Sequence, residues 1–177
     1  MYQDWLNKEI LVIGCGNPLL GDDGFGSAVI DTFEKEYTCA NSIGVLDAGT
    51  AVREILFDLL LSDKRPDHLM IVDAGDFPGT SPGNILQINI DQIPLNKVHD
   101  YSLHQFPSRN MLKELKGFSS MDLQFFAVQV AHIPEFVSPG LSRSVKRAVA
   151  QMCELLMEKI NEMKRYSVKR RLDHADL

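Results

Sequence analysis

The sequence of 177 residues lacks the features of a membrane, secreted or nucleic-acid-binding protein. No apolar run is long enough to cross a bilayer, and the polar start at residues 1–5 lacks the pattern of a signal peptide. The net charge of −6 disfavours contact with nucleic acid. The three cysteines are scattered and include no Cys-x-x-Cys pair, which is typical of a reducing compartment and argues against a zinc knuckle. We therefore expect a cytoplasmic protein that binds neither a membrane nor nucleic acid.

Motifs of several common enzyme classes are missing as well. The sequence contains neither a Gly-x-Ser-x-Gly elbow nor a His-Glu-x-x-His helix, so a serine hydrolase or a zincin is not supported. A dinucleotide fingerprint begins at Gly14 and Gly16, but Leu19 stands where its third glycine should be. Asp22 and Asp23 follow, and each would repel a pyrophosphate by about 1–4 kcal/mol in a partly buried cleft. This turn suits a cation better than a nucleotide.

Apolar runs with strand-like and helix-like spacing alternate along the chain. Strands are predicted at 10–13, 43–47, 69–73, 85–90 and 123–130, and helices at 24–37, 51–61, 111–115 and 141–163. The alternation predicts an α/β fold, a single-domain three-layer sandwich in which helices cover both faces of a mostly parallel, five-stranded twisted sheet. Polar and apolar residues alternate at 85–90, as expected of an edge strand. We assign residues 1–164 to this domain and 165–177 to a solvated C-terminal tail.

Acidic residues follow three of the predicted strands. Asp22 and Asp23 come after the first strand. Asp47 ends the second strand and Asp73 ends the third, in the similar phrases LDAG and VDAG. Carboxyl ends of parallel strands meet at one edge of a sheet, where ligands bind, so these side chains are expected to converge. A lone aspartate is commonly a turn former or helix cap, and one of the Asp22–Asp23 pair could serve only as a cap.

A cluster of carboxylates in one cleft requires a counter-charge, either a metal ion or a basic substrate. A histidine would complete a site for a borderline divalent ion such as nickel, zinc, iron or manganese. His99 and His104 lie in a polar loop at 91–106, where functional residues are often found. His132 follows the last strand and is also eligible, whereas His68 precedes its strand and belongs at the opposite edge. The residues alone indicate an α/β protein with an acidic, metal-binding cleft.

Four phrases of the sequence carry a resemblance to a known family. They are GCGNPLLGDDGFG from Gly14 to Gly26, DAGT from Asp47, IVDA from Ile71 and SLHQ from Ser102. In this order and spacing they resemble the hydrogenase maturation endopeptidases, which trim the C-terminal extension from the precursor of a [NiFe]-hydrogenase large subunit. The resemblance covers residues 10 to about 159. The version VHDYSLHQFP at 98–107 is more similar to the branch that serves coenzyme F420-reducing hydrogenases of methanogens.

The resemblance implies a site that senses nickel. The family pattern places a carboxylate after strand one, an aspartate after strand three and a histidine in the following loop around the ion. The matching residues are Asp23, Asp73 and His104, and some relatives have glutamate in place of Asp23. Asp47 matches an aspartate that is important for activity, and His99 is an additional histidine outside the pattern. The resemblance implies no permanent cofactor, because the substrate, the large-subunit precursor, supplies the nickel.

Two alternatives compete with this interpretation. A self-contained metal hydrolase would keep its own ion at the same three residues, whereas a non-catalytic chaperone would use the cleft only to hold the metal of the precursor. The protein itself is expected to be a monomer or a weak homo-oligomer. Cys15, in the turn after the first strand, is predicted to be a small residue tolerated at a crowded position rather than a reactive thiol.

Overall fold

The structure, a computed structural model, describes residues 4–92, 109–118 and 121–175. Its strands are β1 Ile10–Cys15, β2 Ile43–Gly49, β3 His68–Gly75, β4 Ile85–Gln87 and β5 Asp122–Gln129. Its α-helices are α1 Phe25–Glu36, α2 Val52–Leu61, α3 Arg109–Phe118 and α4 Arg143–Ala175. Short 3-10 helices occur at Asp4–Asn7, Gly21–Gly24 and Ile90–Gln92.

The strands form one five-stranded sheet in the order β2-β1-β3-β5-β4. The first four strands in this order are parallel, and β4 pairs antiparallel with β5 at the edge. Every residue of β1 is buried, which explains its unbroken apolar run, because an inner parallel strand is covered on both faces. The predicted α/β class, with a mostly parallel sheet and an edge strand near residue 85, is confirmed.

Helices cover both faces of the sheet, and alternate residues of each strand point into two separate cores. On one face, α1 and α4 pack against Ile10 and Val12 of β1. On the other face, α2 and α3 pack against Leu11 and Ile13 of the same strand. This three-layer arrangement leaves the carboxyl ends of β1, β2 and β3 together at one edge of the sheet.

The edge strand β4 ends earlier than predicted, at Gln87 rather than at residue 90. The side chain of Asn89 accepts a hydrogen bond from the backbone N–H of Asp91 (3.0 Å), a local turn that opens the 3-10 helix Ile90–Gln92. This side-chain bond, two residues after the last sheet pair at Gln87, turns the chain away from the sheet.

The last helix, α4, continues to Ala175 instead of ending at residue 163. Residues 164–175 contain neither glycine nor proline and are rich in lysine and arginine, which are good helix formers. The first part of the predicted tail is therefore helical. Across the described residues, no helix combines the length and the apolar character that a membrane crossing needs.

Candidate active site

The chain turns sharply between β1 and α1, and two glycines allow the close packing of this turn. Gly16 has a φ of +119°, which other residues rarely adopt, and a Cβ there would overlap the backbone oxygen of Asp23. A Cβ on Gly26 would overlap the backbone of Cys15 and would come within 2.7 Å of the backbone oxygen of Val72 in β3. The turn is thus held against both strands, and this fixes the position of Asp23.

We expect Gly26→Ala to lower the free energy of unfolding by about 3 kcal/mol or more, because its Cβ would meet backbone atoms of two sheet strands. Urea unfolding followed by circular dichroism measures this difference. The matched control is Gly117→Ala in α3, where a Cβ meets nothing within 4 Å and alanine favours the helix by about 1 kcal/mol. A Gly26→Ala protein as stable as the wild type would contradict this packing.

Asp22 is completely buried, and its carboxylate accepts three backbone hydrogen bonds. Oδ2 accepts from the N–H groups of Ala131 (2.8 Å) and His132 (3.2 Å), and Oδ1 accepts from that of Ser142 (2.6 Å). These bonds tie the segment between β5 and α4 to the first turn. No side chain caps α1, so Asp22 serves as a tether for a distant segment rather than as the helix cap considered from the sequence.

Asp23 and Asp73 are buried at the carboxyl edge of the sheet. Oδ2 of Asp23 accepts a hydrogen bond from the backbone N–H of Asn17 (2.8 Å), and Oδ1 of Asp73 accepts one from that of Ala74 (2.8 Å). Burial raises the pKa of Asp73 to about 7; the Ala74 N–H opposes this rise and the charge of Asp23 adds to it. The charge of Asp23 therefore disfavours ionisation of Asp73, and a cation beside the two acids would favour it.

Asp47 lies at the same level of the sheet but is exposed. In the strand register, Gly14 of β1 pairs with Asp47 of β2 on one side and with Val72 of β3 on the other. Oδ1 of Asp47 accepts hydrogen bonds from the hydroxyl of Ser27 (2.8 Å) and from the backbone N–H of Gly49 (3.0 Å), which orient the carboxylate. Asp47 also lines a cavity of about 370 Å³. It is thus an acid of the cluster that a substrate can reach.

Cys15 ends β1 at the same edge of the sheet, and its thiol is buried. Burial, and then the charges of Asp73, Asp47 and Asp23, raise its pKa well above the usual value. A buried and protonated thiol is a poor nucleophile, in agreement with the prediction that Cys15 is not reactive. Asp47 and Asp73 lie near the carboxyl ends of the parallel strands β2 and β3, and Asp23 lies in the turn after β1, so the three acids are at the same edge of the sheet.

Similarity to known proteins extends over most of the chain, and a family model described as hydrogenase maturation protease matches residues 27–159. The chain belongs to the hydrogenase maturation protease family. A Methanocaldococcus jannaschii protein named as a hydrogenase maturation protease is 34% identical over 88% of this chain and 98% of its own length. The coenzyme F420 hydrogenase subunit delta of Methanothermobacter thermautotrophicus is 29% identical over 89% of this chain and 98% of its own. The solved structure of the hydrogenase maturating endopeptidase HybD from Escherichia coli matches with a TM-score of 0.69 and 28% identity, covering 88% of this chain and 93% of that chain.

Family membership makes this protein a peptidase, an endopeptidase of hydrogenase maturation, and confirms the resemblance found in the sequence. It also favours catalysis over the alternative of a non-catalytic chaperone. The residues matched by the family model include Asp47 and Asp73 and begin directly after Gly26.

Three histidines of the protease lie within the described residues: His68, His132 and, near the end of α4, His174. His68 opens β3 at the edge opposite to the acids, as predicted, with its Nδ1 3.4 Å from Oδ2 of Asp122. His132 follows β5 and its side chain is exposed, while its backbone N–H donates to Asp22. At the carboxyl edge, His132 therefore contributes its backbone N–H to the contact with Asp22.

The predicted imidazole ligand, His104, lies outside the described residues, as does His99. Within residues 4–92, 109–118 and 121–175, no three His, Cys, Asp or Glu side chains are grouped so that they could hold a metal ion. Asp23 and Asp73 alone supply only oxygen atoms. The nickel contact of Asp23, Asp73 and His104 therefore stays a prediction.

Gln129 of β5 is a buried polar residue whose role the sequence does not predict. Its Oε1 accepts a hydrogen bond from the backbone N–H of Phe77 (2.6 Å), and its Nε2 donates to Oδ1 of Asp76 (2.9 Å). The amide thereby holds the segment after Asp73 against β5. In the sequence, the feature that could have indicated this role is that Gln129 is the single polar residue inside the apolar stretch FFAVQV.

Proposed function

We propose that this protease removes the C-terminal extension of a nickel-loaded [NiFe]-hydrogenase large-subunit precursor and uses the nickel of that substrate to recognise it. The observation that carries the proposal is the pair of buried acids, Asp23 and Asp73, at the carboxyl edge of the sheet. Two negative charges in a buried site cost free energy unless a cation balances them. A nickel ion delivered by a correctly loaded precursor would supply that balance.

The donor types suit a transient contact with nickel. In the proposed site, Asp23 and Asp73 offer oxygen atoms, and His104 offers a nitrogen. Thiolates would retain nickel more strongly, and burial together with the neighbouring charges keeps the thiol of Cys15 protonated. The nickel is then proposed to stay with the precursor, so that the protease needs no resident metal.

Asp47 is the proposed water-activating residue. Its carboxylate is exposed at the cavity and is held by Ser27 and Gly49. In one route, Asp47 orients or deprotonates the attacking water. In the other, the nickel of the substrate polarises the scissile carbonyl or activates the water. Asp23, Asp47, Asp73 and His104 form the proposed catalytic set under either route.

The narrower substrate assignment is the precursor of an F420-reducing hydrogenase. The phrase at 98–107 and the relative named coenzyme F420 hydrogenase subunit delta support it. The scattered cysteines support a cytoplasmic location, and we propose that the protease acts as a monomer or a weak homo-oligomer.

Incubation with nickel-loaded and nickel-free precursor, followed by intact mass measurement, tests the main proposal. We expect the loaded precursor to lose its C-terminal extension at least about 100-fold faster than the nickel-free form, because only the loaded form brings the ion to the acids. Equal trimming of both forms would exclude nickel as the recognition element.

Two further measurements test the self-contained hydrolase and the narrower substrate assignment. Elemental analysis of the protease before incubation is the control, and a stoichiometric ion that resists chelators would support the self-contained hydrolase. Precursors of an F420-reducing hydrogenase and of another [NiFe]-hydrogenase, supplied in parallel, test the narrower assignment. Equal processing rates for the two precursors would remove it.

A further inference from the structure

Three large apolar side chains are exposed on neighbouring segments beside the candidate active site. Leu19, in the turn after β1, is 51% exposed. Phe136 and Val137, in the segment between β5 and α4, are 81% and 70% exposed. We call these three residues the apolar platform. Clusters of exposed apolar side chains on a folded protein commonly mark a surface that binds another molecule.

A short backbone pairing brings the two segments of the apolar platform together. Leu20 and Ser138 form a parallel bridge. The Ser138 N–H donates to the backbone oxygen of Leu19 (2.9 Å), and the Gly21 N–H donates to that of Ser138 (3.0 Å). Leu19 and Val137 directly precede the paired residues, so they lie side by side.

Contacts on both sides of this bridge hold the platform in place. The carboxylate of Asp22 binds the backbone at Ala131 and at Ser142, on either side of the second segment. Pro134 packs on Gly21, where a Cβ would lie only 2.8 Å from the proline Cδ. The platform is therefore ordered before any partner arrives, which lowers the entropic cost of binding.

The apolar platform continues into the cavity that contains Asp47. Pro18 and Gly21 of the first segment and Gly140 and Leu141 near the second segment line this cavity of about 370 Å³. A polypeptide resting on the platform can therefore extend along the cavity and reach the exposed carboxylate.

We propose that the apolar platform binds an apolar segment of the large-subunit precursor and places its C-terminal extension beside Asp47. This proposal rests on the proposed function, because it takes that precursor as the substrate. A stable homodimer would bury on the order of 800 Å² per partner, far more than three side chains supply. A protein substrate would bury additional surface in the cavity that Asp47 lines. Phe136, an exposed aromatic side chain on an ordered backbone, is the expected anchor.

The test compares Phe136→Ser and Val137→Ser with two controls on α2, Phe57→Ser and Leu61→Ser, which alter exposed apolar side chains on another element. Cleavage of the nickel-loaded precursor is measured over a range of precursor concentrations. We expect the Phe136 variant to raise KM at least about tenfold with kcat changed less than about twofold, as for loss of a binding anchor. The controls should leave both parameters unchanged, and thermal melting confirms that each variant folds.

A direct binding measurement by calorimetry separates this proposal from the proposed function. If the wild type cleaves the precursor and neither platform variant raises KM, the platform proposal is wrong and the function stands. If the wild type binds the precursor without cleaving it and Phe136→Ser weakens binding, the platform proposal is supported and the function is wrong. Sedimentation of the free protein tests whether a second copy of this chain occupies the platform instead. If the wild type is a dimer that Phe136→Ser dissociates, and KM is unchanged, the platform serves self-association and the proposal is wrong. Absence of any binding would overturn both.

Discussion

Replacing Asp73 by asparagine is expected to abolish processing of the nickel-loaded precursor while leaving the fold intact. Asparagine has nearly the same size, and its amide oxygen can still accept the hydrogen bond from the backbone N–H of Ala74. It carries no charge, however, and is a weaker ligand for nickel. Replacing a residue that only supports a metal ligand typically lowers metal affinity or activity about 10–100-fold. Loss of a direct ligand should therefore lower kcat/KM at least about 100-fold.

The control for this Asp73 variant is Asp58→Asn, the same chemical change on the exposed face of α2, which should cleave at the wild-type rate. Asp23→Asn should resemble the Asp73 variant, because its amide oxygen can likewise accept from Asn17. Rates are measured by mass spectrometry of the precursor, with thermal melts to verify folding. Full activity of a folded Asp73→Asn protein would remove Asp73 from the proposed nickel contact.

The sheet, and the edge at which the acids lie, could be predicted from patterns that are local in the sequence. The apolar run of β1 is tolerated only by a strand covered on both faces, and all six of its residues are buried. Asp47 and Asp73 could be assigned to one edge because parallel strands direct their carboxyl ends the same way. Neither inference needed any knowledge of which distant residues touch.

The role of Asp22 as a tether could not be predicted, because it depends on distant contacts. Asp22 and Asp23 are neighbours of identical type, and apart from the family resemblance, which matches Asp23, only the folded chain distinguishes them. Asp22 accepts a hydrogen bond from Ala131, 109 positions further along the chain, whereas Asp23 bonds to nearby Asn17. A tertiary partner of this kind leaves no pattern around the residue itself, and the same holds for the contacts of Gln129.

The end of α4 could not be predicted for a different reason. A charged C-terminal composition is equally typical of a solvated tail and of an exposed helix, and residues 164–175 contain no stop signal to decide between them. The imidazole of the proposed nickel contact lies outside the described residues, so for His104 the sequence resemblance remains the only support.

The second large expected effect is a change in how stability depends on pH. Burial holds the pKa of Asp73 at about 7, against 3.8 for a free carboxyl, so the folded protein binds more protons than the unfolded chain between these values. Stability is therefore lost as pH rises through this range, and the full cost of ionising Asp73 is roughly 4 kcal/mol above pH 7. Asparagine at this position carries no charge, so Asp73→Asn does not lose this free energy of unfolding as pH rises.

We therefore expect Asp73→Asn to gain stability relative to the wild type as pH rises, by roughly 2–3 kcal/mol between pH 5 and pH 8. Urea unfolding of both proteins at several pH values, in chelator to exclude stray metal, measures this difference, and titrating groups that do not interact with Asp73 cancel in the comparison. Asp58→Asn, the same chemical change at an exposed position, is the control for the substitution itself. A constant offset between Asp73→Asn and the wild type would show that Asp73 ionises as freely in the folded protein as in the unfolded chain. The site would then hold its two acids without needing a cation, which would remove the physical reason for nickel to be recognised there.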